Sequence, residues 1–337
     1  MITIDGSQGE GGGQILRTAL TLSLITGQPF KIINIRAGRS RPGLMRQHLT
    51  AVDAAVRVGN AEADGASIGS KELIFKPGSI QSGTYNIAIG TAGSVTLVLQ
   101  TILPALLLAK GNSALTLEGG THNPFAPPWD FLSKAFLPVI NRMGPTVHTD
   151  LHRYGFYPAG GGRFSVNIQP AEKLTGFEIT ERGEITHRLV RALVANIPLS
   201  IGHRECRTVS EKLNWSKDTL RVEEVKSSGP GNAVMIEIGS QYITEVFTGF
   251  GERGNPAETV ASNAAEEVKE YLESQVPVGI HLADQLMLPF ALAGSGCYVT
   301  MPLTQHSNTN LEVIGLFLDC KKRVEEVEQR KVCVSFG

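Results

Sequence analysis

Basic residues cluster between positions 31 and 48 with no acidic residue among them: Lys31, Arg36, Arg39, Arg41 and Arg46. The segment 36–43 carries glycine and proline at positions that break strands and helices, so we expect these guanidinium groups to lie on a loop. Converging arginine forks suit a terminal phosphate, because each fork can donate to two phosphate oxygens. A solvated basic loop is the alternative. Gln47 and His48 open the next predicted helix and are placed to add neutral hydrogen bonds to the same site.

A glycine-rich loop, residues 6–14, leads from the first predicted strand into a helix that carries Arg17. Such a loop can direct backbone amides at an anion, and the start of the helix adds a favourable dipole. The loop lacks the Gly-Lys-Ser/Thr sequence of a Walker A motif. It could equally be only a tight turn. Glu10 would repel a phosphate and is better suited to face a metal ion or a ribose hydroxyl.

The eight histidines include no His-Glu-x-x-His motif, which argues against a zinc hydrolase. His306 lies between a predicted strand and a helix predicted over 311–318, with Ser307, Asn308 or Thr309 as its cap. The positive end of a helix disfavours a protonated ring, and neutral imidazole is the nucleophilic form. An ordinary capping or surface role is the alternative.

Composition limits the class of protein. The 337 residues carry a net charge of −1, so a site for a polyanion must be a local patch. Four cysteines without a Cys-x-x-Cys pair argue against structural zinc or disulfides and predict reduced thiols in a cytoplasm. The first residues lack the layout of a signal peptide, and the most apolar stretch, 95–109, is too short to span a bilayer. We therefore expect a cytoplasmic protein without a membrane segment.

The elements that must position these residues look repeated. Short β-rich runs at 2–4, 30–35 and 114–118 alternate with apolar stretches of helical spacing at 14–25, 94–108, 188–197 and 285–293. This pattern suggests one supersecondary unit that is used several times. A glycine cluster at 154–163 predicts a sharp turn before a strand at 164–168.

A change in composition predicts two domains. Residues 1–176 are apolar and rich in glycine, the chain is more charged from about 180 to 275, and the apolar style then returns. We expect a large domain formed by 1–179 and 277–337, with a smaller domain inserted at 180–276.

Several long motifs occur in the order typical of one family. They read GEGGGQILR at 9–17, IRAGRSRPGL and RQHL within 35–49, YGFYPAGGG at 154–162, LADQL from 282, TQH at 304–306 and NLEVI at 310–314, together with residues 120–128. With these motifs the chain resembles the RNA 3′-terminal phosphate cyclases from the first strand to the last helix. The resemblance implies an α+β fold. Its large domain would contain three βαβαββ units, like those of enolpyruvyl transferases and the C-terminal domain of translation initiation factor 3, with a small α/β domain inserted.

The resemblance also implies a reaction. A histidine attacks the α-phosphorus of ATP, and pyrophosphate leaves with the help of a divalent metal, Mg²⁺ or Mn²⁺. AMP then passes to the 3′-phosphate of RNA, and the 2′-hydroxyl closes a 2′,3′-cyclic phosphate. The family is also compatible with a homodimer.

Site residues are implied by the motif positions. His306 would be the nucleophile and Glu10 the metal ligand. Arg17, Arg36 and Arg39 would hold phosphates beside Gln47 and His48. The nucleotide pocket would be formed by Gln14, Gln100, Pro127, His281, Asp284 and Gln285, with Asp284 orienting His306 or binding ribose and Pro127 lying against adenine.

One position departs from the family pattern. His281 stands where the family commonly has an aromatic residue ahead of LADQL. An imidazole stacks on adenine with less area, so the preference for ATP is less firmly implied. The alternatives are a catalytically inactive cyclase-like ribosome-assembly protein, an enolpyruvyl transferase and a plain RNA-binding module. His306 and the full set of arginines argue against the first, no phosphoenolpyruvate-type pattern supports the second, and near-neutral charge with few aromatic residues disfavours the third.

Overall fold

The first 76 residues form a unit of four strands and two helices. The computed structural model describes residues 1–337. The elements of this unit are β1 (Ile2–Asp5), α1 (Gln14–Thr26), β2 (Phe30–Ile33), α2 (Arg46–Gly59), β3 (Glu62–Asp64) and β4 (Leu73–Lys76). The strands form one sheet in the order β1-β2-β4-β3, in which only β1 and β2 are parallel.

A second unit repeats this arrangement. Its elements are β5 (Thr84–Ala88), α3 (Val95–Leu107), β6 (Ser113–Gly119), α4 (Trp129–Phe131), a π-helical turn (Leu132–Phe136), α5 (Leu137–Arg142), β7 (Thr146–Arg153) and β8 (Gly162–Gln169). The sheet order is β5-β6-β8-β7, again with one parallel pair at the start. The glycine cluster at 154–163 joins β7 to β8 as a turn followed by a strand, as predicted from the sequence.

A separate sheet interrupts the third unit directly after its first strand, β9 (Glu178–Ile179). The interrupting segment contains four strands and two main helices: β10 (Ile185–Ala195), α6 (Ser200–Leu213), β11 (Leu220–Glu224), β12 (Gly231–Ser240), β13 (Thr244–Phe250) and α7 (Ala257–Ser274). The strand order is β11-β10-β12-β13. We call these elements the inserted region. The domain limits predicted at 180 and 276 fall in the connections on either side of it.

The third unit resumes after the inserted region. It contains α8 (Ile280–Ala293), β14 (Cys297–Thr300), α9 (Gln305–Phe317), β15 (Lys322–Glu328) and β16 (Lys331–Phe336). Its sheet order, β15-β16-β14-β9, is the order of the first two units read from the other edge. Three units with one strand order confirm the predicted α+β fold of repeated βαβαββ units.

Helices from all three units meet in one core. α1 packs against α3 and α9, and α9 packs against α8. A cluster of 62 buried apolar residues runs through the three units, whereas the inserted region has a separate cluster of 15 residues between its sheet and α6 and α7. The repeated units therefore share a hydrophobic core, and the inserted region is stabilised largely by its own. No helix is both long enough and apolar enough to cross a membrane.

The helix predicted at 188–197 was wrong, because this segment is the strand β10. It lies between β11 and β12, and its residues 192–195 are completely buried. A strand covered on both faces has a continuous apolar run, which does not distinguish it from a buried helix. The valines at 190 and 194 favour the strand.

Candidate active site

His306 lies in the first turn of α9, whose start differs from the sequence prediction. The helix begins at Gln305 and not at 311, and Thr304 caps it by accepting a hydrogen bond from the amide of Ser307 at 3.1 Å. The predicted caps Ser307, Asn308 and Thr309 are therefore inside the helix. The first turn of α9 is polar because its side chains bond to the glycine-rich loop. It therefore lacks the apolar periodicity by which a helix is predicted from sequence.

Asp284 on α8 fixes the ring of His306. Its Oδ2 lies 3.1 Å from Nδ1 of the histidine. Three side-chain amides hold the Asp284 carboxylate in turn: Gln14 donates to Oδ1 at 3.0 Å, Gln285 donates to Oδ2 at 3.3 Å, and Asn310 approaches Oδ1 at 3.5 Å. With Asp284 against Nδ1, the other ring nitrogen of His306, Nε2, faces the glycine-rich loop.

Glu10 brings the glycine-rich loop to the other side of the ring. Its Oε2 lies 3.5 Å from Nε2 of His306, and Arg39 forms an ion pair with the same carboxylate. The Glu10 amide donates to Oγ1 of Thr309 at 3.1 Å, and Gln305 donates to the carbonyl of Gly9 at 3.0 Å. Glu10 therefore lies between the guanidinium of Arg39 and Nε2 of His306.

Arg17 on α1 contributes an unpaired cation to the cleft. Its side chain has no salt bridge and no hydrogen bond to the protein, although it lines the same cleft as His306. Burial lowers the pKa of Arg17 to about 10, and the Asp284 carboxylate opposes that shift. A buried guanidinium without a partner is costly unless an anion compensates it. This position is therefore suited to a phosphate group.

His48 lies beside Arg17 across Gly13 and is a neutral ring. A Cβ at Gly13 would lie 2.4 Å from Nε2 of His48 and 2.9 Å from a guanidinium nitrogen of Arg17. Burial, and then the charges of Arg17 and Arg36, lower the pKa of His48 to about 3. Its Nδ1 accepts from the Met45 amide at 3.3 Å, so Nε2 carries the hydrogen. His48 can offer that hydrogen without adding a charge.

The side chains of Arg36 and Gln47 form hydrogen bonds with the protein backbone. Arg36 donates to the carbonyl oxygens of Arg41 and Gly43, at 2.7 and 2.9 Å, and so closes the basic loop on itself. Gln47 accepts from the amide of Ser94 at 2.7 Å, which links the first unit to the start of α3. Of the predicted phosphate-binding arginines, Arg17 and Arg39 lie near His306 with donors directed at the site.

The cleft beside His306 runs between α1, α3 and α8. Its polar lining is Gln14, Arg17, Thr18, Thr21, Gln100, Asp284, Gln285, His306 and Asn310. Gln100 donates to Gln285, which joins α3 to α8 across the cleft. Pro127 and His281 are not in this lining. The side chain of His281 is 62% exposed, and its Nε2 lies 3.6 Å from Glu267 of the inserted region, whose carboxylate raises the pKa of His281. The adenine-binding role of both residues stays a prediction.

No group of three or more histidine, cysteine, aspartate or glutamate side chains could hold a metal ion by itself. A divalent ion could still fit at Glu10, because Mg²⁺ is often held by one or two carboxylates together with substrate phosphates.

Comparison with known proteins places this site in a family. The model of the family described as RNA 3′-terminal phosphate cyclase matches residues 8–324. The chain belongs to the RNA 3′-terminal phosphate cyclase family. A relative of that name from Koribacter versatilis is 52% identical over 329 residues, covering 97% of this chain and 93% of the relative. Another from Ralstonia nicotianae is 51% identical over 318 residues, covering 94% and 91%. The chain is therefore an enzyme of the cyclase type.

Among solved structures, the enolpyruvyl transferase NikO from Streptomyces tendae matches 99% of this chain and 47% of its own length. The TM-score is 0.39 and the identity 14%, a similarity too low to support a conclusion.

Three polar cyclase cleft residues were missed from the sequence: Thr18, Thr21 and Asn310. Thr18 donates to Oδ1 of Asn310 at 2.9 Å, and Asn310 donates to the backbone oxygen of Asp284 at 3.2 Å. Both are buried. The sequence did contain an indication of these residues, because Gln14, Thr18 and Thr21 recur at helical spacing on a largely apolar helix. A polar stripe on a buried helix marks either a polar network or a site.

Proposed function

We propose that this enzyme uses ATP to convert the 3′-phosphate of an RNA into a 2′,3′-cyclic phosphate through an AMP-bearing His306. The observation that carries the proposal is the setting of His306. Asp284 lies against Nδ1, Nε2 faces the glycine-rich loop at Glu10, and the unpaired cation of Arg17 lines the same cleft. A neutral imidazole with one oriented nitrogen beside an anion site is the arrangement needed for attack on phosphorus.

In the first step, Nε2 attacks the α-phosphorus of ATP. The new N–P bond forms as the bond from the α-phosphorus to its bridging oxygen breaks, and pyrophosphate leaves. The ring gains positive charge as it is phosphorylated, and Asp284 stabilises that charge through Nδ1–H. Arg17 and Arg39 offset the charge of the phosphate oxygens. When bound, a divalent metal supplies further positive charge, and Glu10 would hold it together with the phosphates.

In the second step, an oxygen of the RNA 3′-phosphate attacks the phosphorus of the AMP group. The N–P bond breaks, the histidine returns to its neutral form, and RNA(3′)pp(5′)A results. In the third step, the adjacent 2′-hydroxyl attacks the 3′-phosphorus, loses its proton and displaces AMP. Positioning supplies much of this last step, since nucleophile and phosphorus belong to the same nucleotide.

Labelling with ATP that carries ³²P at the α-phosphate tests the first step in the absence of RNA. We expect a label on wild-type protein that is labile to acid and stable to alkali, and none on His306→Ala. His203→Ala is the matched control, because His203 is an exposed histidine of α6, outside the cleft. Labelling of His306→Ala would show that His306 is not the nucleophile.

Absence of label on wild type would favour the inactive assembly-protein alternative. Incubation of labelled enzyme with a 3′-phosphorylated RNA tests the rest of the reaction. We expect the label to pass to RNA and then to appear as AMP, with a cyclic phosphate at the RNA end.

A further inference from the structure

A second and larger cleft lies between the second unit and the inserted region. Its cavity volume is about 920 Å³, which is at the upper end of the range for small-molecule and cofactor sites. The second unit contributes residues 122, 124 and 156–158, and the inserted region contributes the start of β12, the 250–256 loop and the starts of α6 and α7. None of these residues lines the cleft of His306. We call this space the interdomain cleft.

Aromatic rings line the interdomain cleft. Phe156 is buried at the base with Phe250 packed against its cluster, and Tyr157 is 68% exposed at the edge. Phe125, next to Pro124 of the lining, is fully exposed. Stacking on such rings is how proteins bind the bases of single-stranded nucleic acid with little dependence on sequence. The glycine cluster at 154–163, which the proposed chemistry leaves without a role, thus presents an aromatic ring at the cleft.

The rest of the lining includes two arginines, the carboxylate of Glu252 and backbone donors. Arg253 lies in the 250–256 loop and has no carboxylate partner, whereas Arg204 is paired with Glu258 at 3.2 Å. The 18-residue helix α7 begins at this cleft without a side-chain cap, and the amides of Ala257 and Glu258 have no protein acceptor. Free amides at a helix start attract anions. Stacking surfaces beside an unpaired arginine fit a nucleotide, whereas a purely apolar ligand would leave Arg253 and these amides unused.

One short turn, residues 91–94, links the interdomain cleft to the start of α2, which follows the basic loop. Asn123, next to His122 of the lining, donates to the backbone oxygen of Ala92. Two residues later, the amide of Ser94 donates to Gln47. Gly160 of the same aromatic turn packs on Ala92, since a Cβ there would lie 2.7 Å from the Ala92 Cα. A strand whose terminal phosphate lies at the basic loop can therefore continue over this turn.

We propose that the interdomain cleft binds a nucleotide of single-stranded RNA upstream of the 3′ end, with its base on Tyr157 and a phosphate at Arg253. The inference rests on the proposed function for the RNA substrate, but not on the identity of the nucleophile. The inserted region then determines affinity for the strand and takes no part in the transfer of AMP.

The test compares a long and a short substrate in Tyr157→Ala and Arg253→Ala. For a 3′-phosphorylated RNA oligonucleotide we expect KM to rise by on the order of 10-fold in each variant, from lost stacking or a lost phosphate contact. For a nucleoside 3′-phosphate, which has no upstream nucleotide, we expect no change. Arg253→Ala should also make the salt dependence of oligonucleotide binding less steep, by about 0.7 in the log–log slope.

Matched controls lie on other surfaces of the protein. Tyr242→Ala removes a ring that is 45% exposed at the β12–β13 turn, and Arg323→Ala removes an exposed arginine of β15 that has no ion pair. Both should keep the wild-type KM for the oligonucleotide. An unchanged oligonucleotide KM in the cleft variants, or equal losses for both substrates, would overturn the proposal. Labelling of His306 by ATP alone should persist in every variant. Its absence from wild type would instead count against the proposed function.

Discussion

Glu245 of β13 offers a quantitative test of how the inserted region is joined to α8. The side chain is buried, with 2% of the residue exposed, and it accepts a hydrogen bond from the amide of Gly279 at 2.6 Å. Gly279 is the N-cap of α8, the helix that carries Asp284. Burial raises the pKa of Glu245 from 4.5 to about 8, against the opposing effects of the Gly279 amide and of His281. The perturbation is Glu245→Gln, which keeps the shape and the acceptor but cannot ionise.

The size of the effect follows from proton linkage. A carboxyl whose folded-state pKa is raised binds its proton more tightly in the folded state. Its destabilising effect therefore grows as pH rises above the unfolded value of 4.5 and becomes constant above about 8. At roughly 1.4 kcal/mol per pKa unit, the cost is about 1 kcal/mol at pH 5, about 3 at pH 7 and about 5 at pH 9. Glu245→Gln removes that cost and so becomes increasingly more stable than wild type with pH.

Urea unfolding of wild type and Glu245→Gln at pH 5, 7 and 9 measures the difference. The stabilisation should increase by roughly 4 kcal/mol between the lowest and highest pH. Glu273→Gln is the control, because Glu273 is an exposed carboxylate of α7 without an ion pair. A difference between wild type and Glu245→Gln that is flat with pH, or that shrinks as pH rises, would refute the reasoning.

Further predictions concern the cleft itself. Asp284→Asn should slow the labelling of His306 by roughly 10- to 100-fold in a rapid-quench experiment, because the orienting charge is lost; an unchanged rate would contradict that role. Gly9→Ala should abolish labelling, since its Cβ would lie 2.1 Å from the hydroxyl of a threonine in α9, whereas Gly27→Ala, at a similar positive φ but with nothing within 4 Å, should label normally. Equal labelling of the two glycine variants would show that the collision is harmless. His48→Gln should match wild type in stability above pH 7 and exceed it as pH falls from 6.5 toward 3. In this range His48 binds a proton in the unfolded chain but not in the folded one, which destabilises the wild type. Urea midpoints across that range measure the difference in stability. A wild type that becomes more stable than the variant at low pH would contradict the lowered pKa of His48.

Sequence patterns predicted the elements whose signals are local. The glycine turns, the arginine loop and the apolar helix at 14–25 were predicted because glycine, proline and helical spacing act over a few residues. The strand at 185–195 was missed because its burial on both faces comes from distant neighbours. The start of α9 was missed for the same reason, since its polar first turn is held by the glycine-rich loop some 300 residues away in sequence.

The site could be predicted as a set of residues but not as an arrangement. The motifs named Arg17, Arg36 and Arg39 alike, yet they gave no indication that Arg36 bonds to its own loop whereas Arg17 stays unpaired. The orientation of His306 likewise depends on Asp284, 22 positions earlier in the chain, and on the amides that hold its carboxylate. Such contacts between units follow from packing, which local patterns do not encode.

The interruption of the third unit bears on how the chain folds. Residues 180–279 separate β9 from α8, although β9 must pair with β14 to complete its sheet. Closing so long a connection costs conformational entropy before the two strands of the pair gain any contact. We expect the inserted region, with its own core, to fold first and bring the two ends together. The unit that carries His306 would then assemble last, so that the nucleophile meets its arginines only in a fully folded chain.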